Sequence, residues 1–254
     1  MPRCTQVRYV EKELAIDSLS GFVLRLYHDL DPGDPLVTSL CELACSNPLL
    51  DLCDVKTVPR RVGPRSTSSL FPMLWRFLPS LDPQVSVMLS RDLDSRVTER
   101  EAAAVTEWLE SDLSLHAMRD HPWHTVPIMG GGWGAKLDTQ TRRDNWNSSW
   151  TAMLADSKLY SSPASKGPDQ DLLGRYVWGR WGRQDCLHHD SYTCTIFPGS
   201  RGWPTQRINT TDHNFFGAVG KREERREDDN NSCARSCLLH EGVPSSVPTE
   251  GTRT

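Results

Sequence analysis

The chain alternates between two patterns of apolar residues, one typical of strands and one typical of helices. Short apolar runs bounded by turn residues predict strands over 22–27, 85–90 and 115–119. Apolar residues at helical spacing, with cap or turn residues before them, predict helices over 36–44, 70–78, 98–109 and 168–176. This alternation indicates an α/β domain with a largely parallel sheet.

The helix that begins after Thr98 is the best marked in the chain. Thr98 and Glu101 have the spacing of a capping box, in which each side chain satisfies a free backbone N–H at the helix start. Apolar residues then recur along one face of the helix. Because the predicted strand 85–90 lies just before it, residues 91–96 form the turn from the strand into the helix.

Two carboxylates, Asp92 and Asp94, lie in this turn. Open α/β sheets bind ligands at the carboxyl ends of their strands, and two neighbouring carboxylates are costly there unless a cation neutralises them. Hard divalent cations prefer oxygen ligands and hold diphosphate oxygens at the same time. The couplet therefore predicts a Mn²⁺ or Mg²⁺ site that also holds a diphosphate. The alternative is a pair of solvated turn residues, with Asp92 paired to Arg91 or Arg96.

Composition excludes several classes of function. The 254 residues carry 29 Lys and Arg against 33 Asp and Glu, a net charge of −4, which is not the basic footprint of a nucleic-acid binder. Mean hydropathy is −0.52, and no run of about 20 apolar residues predicts a membrane span. The first residues lack the apolar core of a signal peptide.

Cysteines and sequons nevertheless favour the secretory pathway. The chain has eight cysteines, with no C-x-x-C pair and no zinc-finger spacing, and Asn147, Asn209 and Asn230 each begin an Asn-x-Ser/Thr sequon. Disulfides and glycans are typical of oxidising compartments. We therefore expect a Golgi or extracellular protein if the true N-terminus is missing, and a cytoplasmic one otherwise.

Composition also divides the chain. Residues 221–254 combine a mixed-charge run with Ser, Pro, Thr and Gly and contain no aromatic residue, which predicts a disordered tail. Residues 1–20 form a poorly defined N-terminal segment, and 57–69 read as an exposed loop. The main domain is expected over 21–220.

The strand, the Asp-x-Asp couplet and the capped helix together resemble the GT-A class of nucleotide-sugar glycosyltransferases, and residues 71–96 are most similar to an uncharacterised GT-A-like family. The resemblance covers about residues 20–220. Further segments that agree with it are 22–29, 119–124, 130–136, 169–170, 189–192 and 197–201. It implies a GT-A-like (Rossmann-type) fold over 21–220, with a mostly parallel central sheet flanked by helices. A truncation at the N-terminus of this domain is one interpretation of the missing first strand.

The resemblance also implies roles for single residues. Asp92 and Asp94 would hold the metal, with His189 as a third ligand. Tyr27, Arg76 and Arg201 would contact the nucleotide or its phosphates. Asp169, rather than the neighbouring Asp171, is the candidate general base on the acceptor hydroxyl; the alternative is a carboxylate stabilised by a helix N-terminus.

The glycine-rich segment 130–134 permits a close approach of its backbone to a ligand, because several positions lack a Cβ. It is not a P-loop, since no Gly-Lys-Ser/Thr follows. By the resemblance, Gly131 and Trp133 would lie where donor sugar and acceptor meet, with the Trp133 ring stacked on a sugar. The alternative is a glycine-rich turn with a core tryptophan. In 120–124, hydrogen bonds that fix a loop are favoured over a metal site.

The sequence therefore predicts a metal-dependent glycosyltransferase that moves a sugar from a nucleotide-diphosphate donor to a hydroxyl of a carbohydrate, glycoprotein or glycolipid. A catalytically inactive GT-A-like protein that binds carbohydrate or another partner is one alternative. A phosphohydrolase with two metal ions is another. A serine hydrolase has little support, because no Gly-x-Ser-x-Gly occurs.

Overall fold

The computed structural model describes residues 21–57, 70–95, 97–156, 167–206 and 215–218. The first of these segments is a βαβ unit. Strands β1 (Leu24–His28) and β2 (Leu50–Asp54) pair in parallel, and helix α1 (Pro35–Ser46) connects them. Asp34 caps α1 by accepting a hydrogen bond from the backbone N–H of Leu36.

The next four strands form a second sheet. They are β3 (Val87–Arg91), β4 (Leu115–Arg119), β5 (Gly132–Lys136) and β6 (Cys186–Asp190). Their order across the sheet is β3-β5-β4-β6; β5 is antiparallel to both of its neighbours, and β4 is parallel to β6.

Helices cover both faces of this sheet. They are a 3₁₀ helix (Pro72–Leu81), α2 (Glu99–Glu110), α3 (Gln140–Leu154), α4 (Pro168–Leu172) and a π-helical segment (Leu173–Trp178). A 3₁₀ turn (Gly182–Gln184) leads into β6. Among the described residues, no helix has the length and apolarity needed to cross a bilayer.

Side chains alternate between the two faces, as they must in strands. Ser90 pairs with Trp133 and Ala117 also pairs with Trp133, so these residues share one face, called the core face here. The larger apolar cluster lies on it, beneath the 3₁₀ helix, α3, α4 and the π-helical segment. On the opposite face, called the α2 face, Val105 and Trp108 of α2 pack against a smaller cluster.

The α/β class is confirmed, and so are most of the predicted elements. Strand 115–119 has the predicted bounds, and the other two are shifted by one or two residues. Helix 70–78 is a 3₁₀ helix, and helix 168–176 divides into α4 and the π-helical segment. The segments 1–20 and 221–254, and most of the loop 57–69, lie outside the described residues.

The prediction of a mostly parallel central sheet is wrong for the described strands. The sheet is mixed because β5 lies between β3 and β4 and runs antiparallel to both. Residues 120–131 contain two prolines, and the structure shows no helix in them. A parallel return to the sheet usually contains a helix, and this connection has none.

This topology brings several chain segments to one edge of the sheet. Because β3, β4 and β6 run in the same direction, their carboxyl ends lie at the edge where β5 begins. Asp92, Asp120 and Ser191 each follow one of these strand ends, and Gly130 and Gly131 precede β5. Those predicted site residues that the structure brings together lie at this edge.

Candidate functional site

The site is centred on the guanidinium of Arg76. Its Nη1 lies 2.9 Å from Oδ1 of Asp92 and 3.7 Å from Oδ2 of Asp169. Asp92 follows β3 and faces the 3₁₀ helix that carries Arg76, while Asp169 lies in the first turn of α4. Three segments that are distant in sequence thus bring two carboxylates to one cation.

Two glycines make room for these carboxylates. A Cβ on Gly131 would lie 2.3 Å from Oδ2 of Asp92, and a Cβ on Gly130 would lie 2.1 Å from Oδ2 of Asp169. Both distances are far below van der Waals contact. The hydroxyl of Ser90 donates to the Gly130 carbonyl over 2.7 Å and fixes the turn against β3. The predicted close approach of the glycine backbone is present, and the groups that approach are the carboxylates of the site itself.

Asp169 is an unusual buried carboxylate. Its side chain is 0% exposed, and neither oxygen accepts a hydrogen bond of ordinary geometry from the described residues. Burial raises its pKa, and the charge of Arg76 opposes this rise only in part. A desolvated carboxylate holds a proton more strongly than a solvated one, and here burial outweighs both Arg76 and the backbone N–H groups of Asp169 and Gln170.

Asp92 and Asp94 are both exposed, with half of the Asp92 side chain open to solvent. Asp92 is paired with Arg76, and Nη2 of Arg91 lies 3.0 Å from Glu101. The third possible partner, Arg96, lies outside the described residues. The couplet is therefore neither deeply buried nor simply solvated.

The couplet fits one type of metal site. Within the described part of the chain, no group of three or more His, Cys, Asp and Glu side chains is arranged to hold an ion. Mg²⁺ at phosphate sites needs only one or two carboxylates, because phosphate oxygens and waters complete its shell. Two exposed carboxylates are the number that such a shared site uses, and an ion held by Asp92 and Asp94 stays a prediction.

The prediction of His189 as a third ligand beside Asp92 and Asp94 is contradicted. His189 lies in β6 on the α2 face, whereas Asp92 faces the 3₁₀ helix. β3 and β6 are three strand spacings apart, about 14 Å. Both ring nitrogens of His189 are also engaged, Nδ1 by His116 over 2.9 Å and Nε2 by Glu107 over 3.1 Å.

Arg201 belongs to this second cluster as well. Its Nη1 lies 2.9 Å from Oε1 of Glu107, and its backbone is bridged to His189. Hydrogen bonds from His189 and Arg201 lower the pKa of Glu107 to about 2, and burial holds the pKa of His116 well below its usual value. The structure therefore does not bring Arg201 to Asp92, and its predicted phosphate contact is not supported at that site.

Trp133 does not offer a sugar-binding face. Its side chain is 0% exposed, stacks on Trp146 with centroids 5.1 Å apart, and meets Phe77 edge to face at 5.5 Å. The prediction that Trp133 stacks on a sugar is wrong, and the alternative of a core tryptophan is what the structure shows. Gly131, two residues earlier, does lie at the site.

Tyr27 lies in β1, outside the four-stranded sheet, and is packed in part against the larger apolar cluster. Burial raises the pKa of its phenol. Arg25 of the same strand forms an ion pair of 2.8 Å with Asp82, the residue that follows the 3₁₀ helix. A nucleotide contact by Tyr27 stays a prediction.

Two buried arginines at the sheet edge were not predicted. Arg119 is 1% exposed; it bonds Asp190 and His188 over 2.7 Å each, and its guanidinium lies 4.1 Å above the Phe197 ring. Arg100 donates to both carboxylate oxygens of Asp120 over 3.0 Å. For Arg119 the signal in the sequence is a charged residue that ends an apolar strand, since a buried arginine must find a counter-ion. Arg100 lies in the first turn of α2 and gives no such signal.

The 120–124 segment is fixed by hydrogen bonds, as expected. Asp120 accepts from Arg100 and from the backbone N–H of Phe216, and its own N–H donates to Nδ1 of His124. Burial lowers the pKa of His124 to about 4, so the ring accepts this bond in its neutral form. The segment holds the edge together.

No protein-family model, curated protein or solved structure matches this chain.

Proposed function

We propose that this chain is a metal-dependent glycosyltransferase with a GT-A-like fold. It would transfer a sugar from a nucleotide-diphosphate donor to a hydroxyl of a carbohydrate, glycoprotein or glycolipid. The observation that carries the proposal is the convergence of Asp92 and Asp169 on Arg76, at the carboxyl edge of the sheet, beside two glycines. Ligands of open α/β sheets bind at such edges.

The donor end of the reaction rests on Asp92, Asp94 and Arg76. A Mn²⁺ or Mg²⁺ ion held by the two carboxylates would neutralise the diphosphate and stabilise the charge that develops on the leaving group. Arg76 is already within 2.9 Å of Asp92, so its guanidinium lies where it can donate to the same diphosphate oxygens.

The acceptor end rests on Asp169. Its carboxylate is 0% exposed, so the proposal requires that ligand binding uncover it. As general base it would then accept the proton of the attacking hydroxyl, which makes that oxygen a stronger nucleophile. The raised pKa of the buried carboxyl increases its affinity for that proton. Because the base must be ionised, we expect the rate to rise as pH rises through the pKa of Asp169.

A nucleotide-sugar screen tests this proposal. Thermal melting of the full chain is measured with a panel of UDP- and GDP-sugars, each with and without Mn²⁺. We expect a stabilising shift with one donor that requires the cation, followed by slow, Mn²⁺-dependent hydrolysis of that donor. Asp92→Asn and Asp94→Asn should abolish both signals, and Asp144→Asn, an exposed residue on α3, should abolish neither.

The outcomes separate the alternatives. If no nucleotide sugar shifts the melting temperature, the transferase proposal is rejected and the inactive binding protein is favoured. Binding without hydrolysis or transfer, unchanged in Asp169→Asn, also favours that alternative. Two metal ions per chain, with hydrolysis of simple phosphate esters, would favour the phosphohydrolase.

We propose further that the protein folds in the secretory pathway. Cys194, in the segment after β6, is disulfide-bonded, and its partner lies outside the described residues. Disulfides persist in oxidising compartments. Mass spectrometry of the protein from secreting cells, before and after reduction, should show this bond; a reduced Cys194 in that protein contradicts the assignment.

A further inference from the structure

A cavity of about 310 Å³ opens where the π-helical segment ends and the chain turns toward β6. Its described lining comes from one short stretch of chain: Trp178, Gly179, Arg180, Trp181, Arg183 and Gln184. The stretch precedes β6, and the 3₁₀ turn lies at the strand's amino end, the opposite end from the one that faces the sheet edge of Asp92. The cavity is therefore distinct from the candidate active site.

The two tryptophans that line the cavity are held in place by the fold. The Trp178 ring packs edge to face on His188 at 5.5 Å and on Phe197 at 6.0 Å. The indole N–H of Trp181 donates to the hydroxyl of Ser149 over 2.9 Å. Both side chains stay partly exposed. Rigid, partly exposed aromatic rings bind a ligand at a low cost in conformational entropy.

The backbone around the cavity is adapted to this shape. The N–H of Gly179 reaches back five residues to the carbonyl of Gly174 over 3.0 Å, which is the wide π turn. A Cβ on Gly182 would lie 2.7 Å from the side chain of Leu115, so only glycine lets this turn lie flat on the core. Single π turns of this kind are frequent at functional sites.

The charge of the cavity is positive. Arg180 and Arg183 are exposed, and none of the described lining residues is acidic. Arg180 donates one hydrogen bond to the carbonyl of Ser148 over 3.3 Å, and none of the ion pairs between described residues involves it. The carboxylate of the nearby Asp185 accepts from the backbone N–H of Ser114 instead.

We propose that this cavity binds an acidic saccharide, one whose sugar ring carries a carboxylate. The flat indole faces suit the apolar C–H face of a sugar ring, the guanidinium groups suit a carboxylate by paired, charged hydrogen bonds, and the amide of Gln184 suits a hydroxyl. A volume near the lower limit of ligand pockets fits one or two sugar rings and not a long glycan. The proposal does not depend on transferase activity.

The test is a binding titration of the full chain, without metal or nucleotide sugar. Sialyllactose is the acidic probe, lactose is the neutral match, and a hexapeptide of glutamates is the competing class of ligand. We expect sialyllactose to bind with millimolar or better affinity, more weakly as salt increases, and lactose to bind at least about tenfold more weakly.

Variants locate the binding. Arg183→Gln and Arg180→Gln should each weaken sialyllactose binding about tenfold. Arg175→Gln is the matched control, because Arg175 is exposed and pairs with Asp156 over 2.8 Å, outside the lining of the cavity; it should bind as the parent does. Asp92→Asn should also bind sialyllactose as the parent does. Loss of donor binding in this variant with normal sialyllactose binding distinguishes the transferase proposal from this one.

Three results would overturn the assignment. One is no saturable binding of sialyllactose at millimolar concentration. Another is full binding by both arginine variants. The third is tighter binding of the glutamate peptide than of sialyllactose, which would make this a surface for acidic protein segments.

Discussion

Gly130 and Gly131 are adjacent, yet we expect alanine at the first position to lower stability and alanine at the second to disturb the proposed donor site. Neither glycine has a positive φ, so alanine causes no backbone strain at either. In Gly130→Ala the new methyl group meets Oδ2 of Asp169 at 2.1 Å, and that carboxylate is 0% exposed. In Gly131→Ala it meets Oδ2 of Asp92 at 2.3 Å, and half of that side chain is in solvent.

The difference in burial decides the magnitudes. Asp169 cannot step aside without moving α4, so Gly130→Ala should lower the free energy of unfolding by the cost of overpacking, about 1–3 kcal/mol. The smaller entropy of the unfolded alanine chain offsets about 0.4–1 kcal/mol of this. Asp92 can rotate into solvent, so Gly131→Ala should change stability by no more than about 0.5 kcal/mol. That rotation separates Asp92 from Arg76 and dismantles the proposed donor site.

Urea unfolding followed by tryptophan fluorescence measures the first effect, and the Mn²⁺-dependent thermal shift with nucleotide sugar measures the second. Gly33→Ala is the control, since a Cβ there meets nothing within 4 Å. Equal destabilisation by Gly130→Ala and Gly131→Ala would refute the reasoning from burial. A normal cation-dependent shift in Gly131→Ala would refute the role of Asp92.

Three further substitutions test the buried charges. Arg119→Met leaves Asp190 buried without its counter-ion, so the free energy of unfolding should fall by about 3–5 kcal/mol in urea; a loss below about 1 kcal/mol would show that the pair is dispensable. Burial raises the pKa of Glu101 from 4.5 to about 7, so its ionisation opposes folding, and stability should fall as pH rises from about 4.5 to 7, by up to about 3 kcal/mol. Glu101→Gln should flatten that part of the profile, and an unchanged slope would count against the assignment. The pKa of Glu107 is lowered from 4.5 to about 2, so the stability it contributes is present above about pH 4.5 and is lost as pH falls through 2. Glu107→Gln should therefore melt below the parent at pH 6 and with it at pH 2, and equal melting at pH 6 would contradict this.

The sequence predicted several elements whose apolar side chains repeat with a clear period, and missed β2, α3, β5 and β6. Of these four, β5 has the fewest side chains. β5 reads Gly-Trp-Gly-Ala-Lys, and two of its five positions carry no side chain to show alternation. Gly134 is needed because a Cβ there would lie 2.8 Å from Leu89 and 3.0 Å from Trp108. The glycines that let β5 pack between its neighbours are therefore also the reason that its sequence shows no alternation of apolar and polar side chains.

The site was predicted in part for a related reason. The motif after a strand identified Asp92, the resemblance implied Arg76 and Asp169, and the structure brings these three together. His189 was implied by the resemblance alone, but strand order and the face on which a side chain lies depend on register, which a single sequence does not contain. Trp133 was misassigned because a glycine-rich turn and a β-strand core look alike without that register.

The contacts of Arg119 also constrain the order in which the protein can form. Its partner Asp190 is 71 residues further along the chain, and Ser200 is 81. During synthesis the ribosome must therefore release the chain well beyond β6 before this guanidinium can leave water. Such long-range pairing slows folding, so the nascent chain exposes an unfinished sheet, open at β4, until most of its length has emerged.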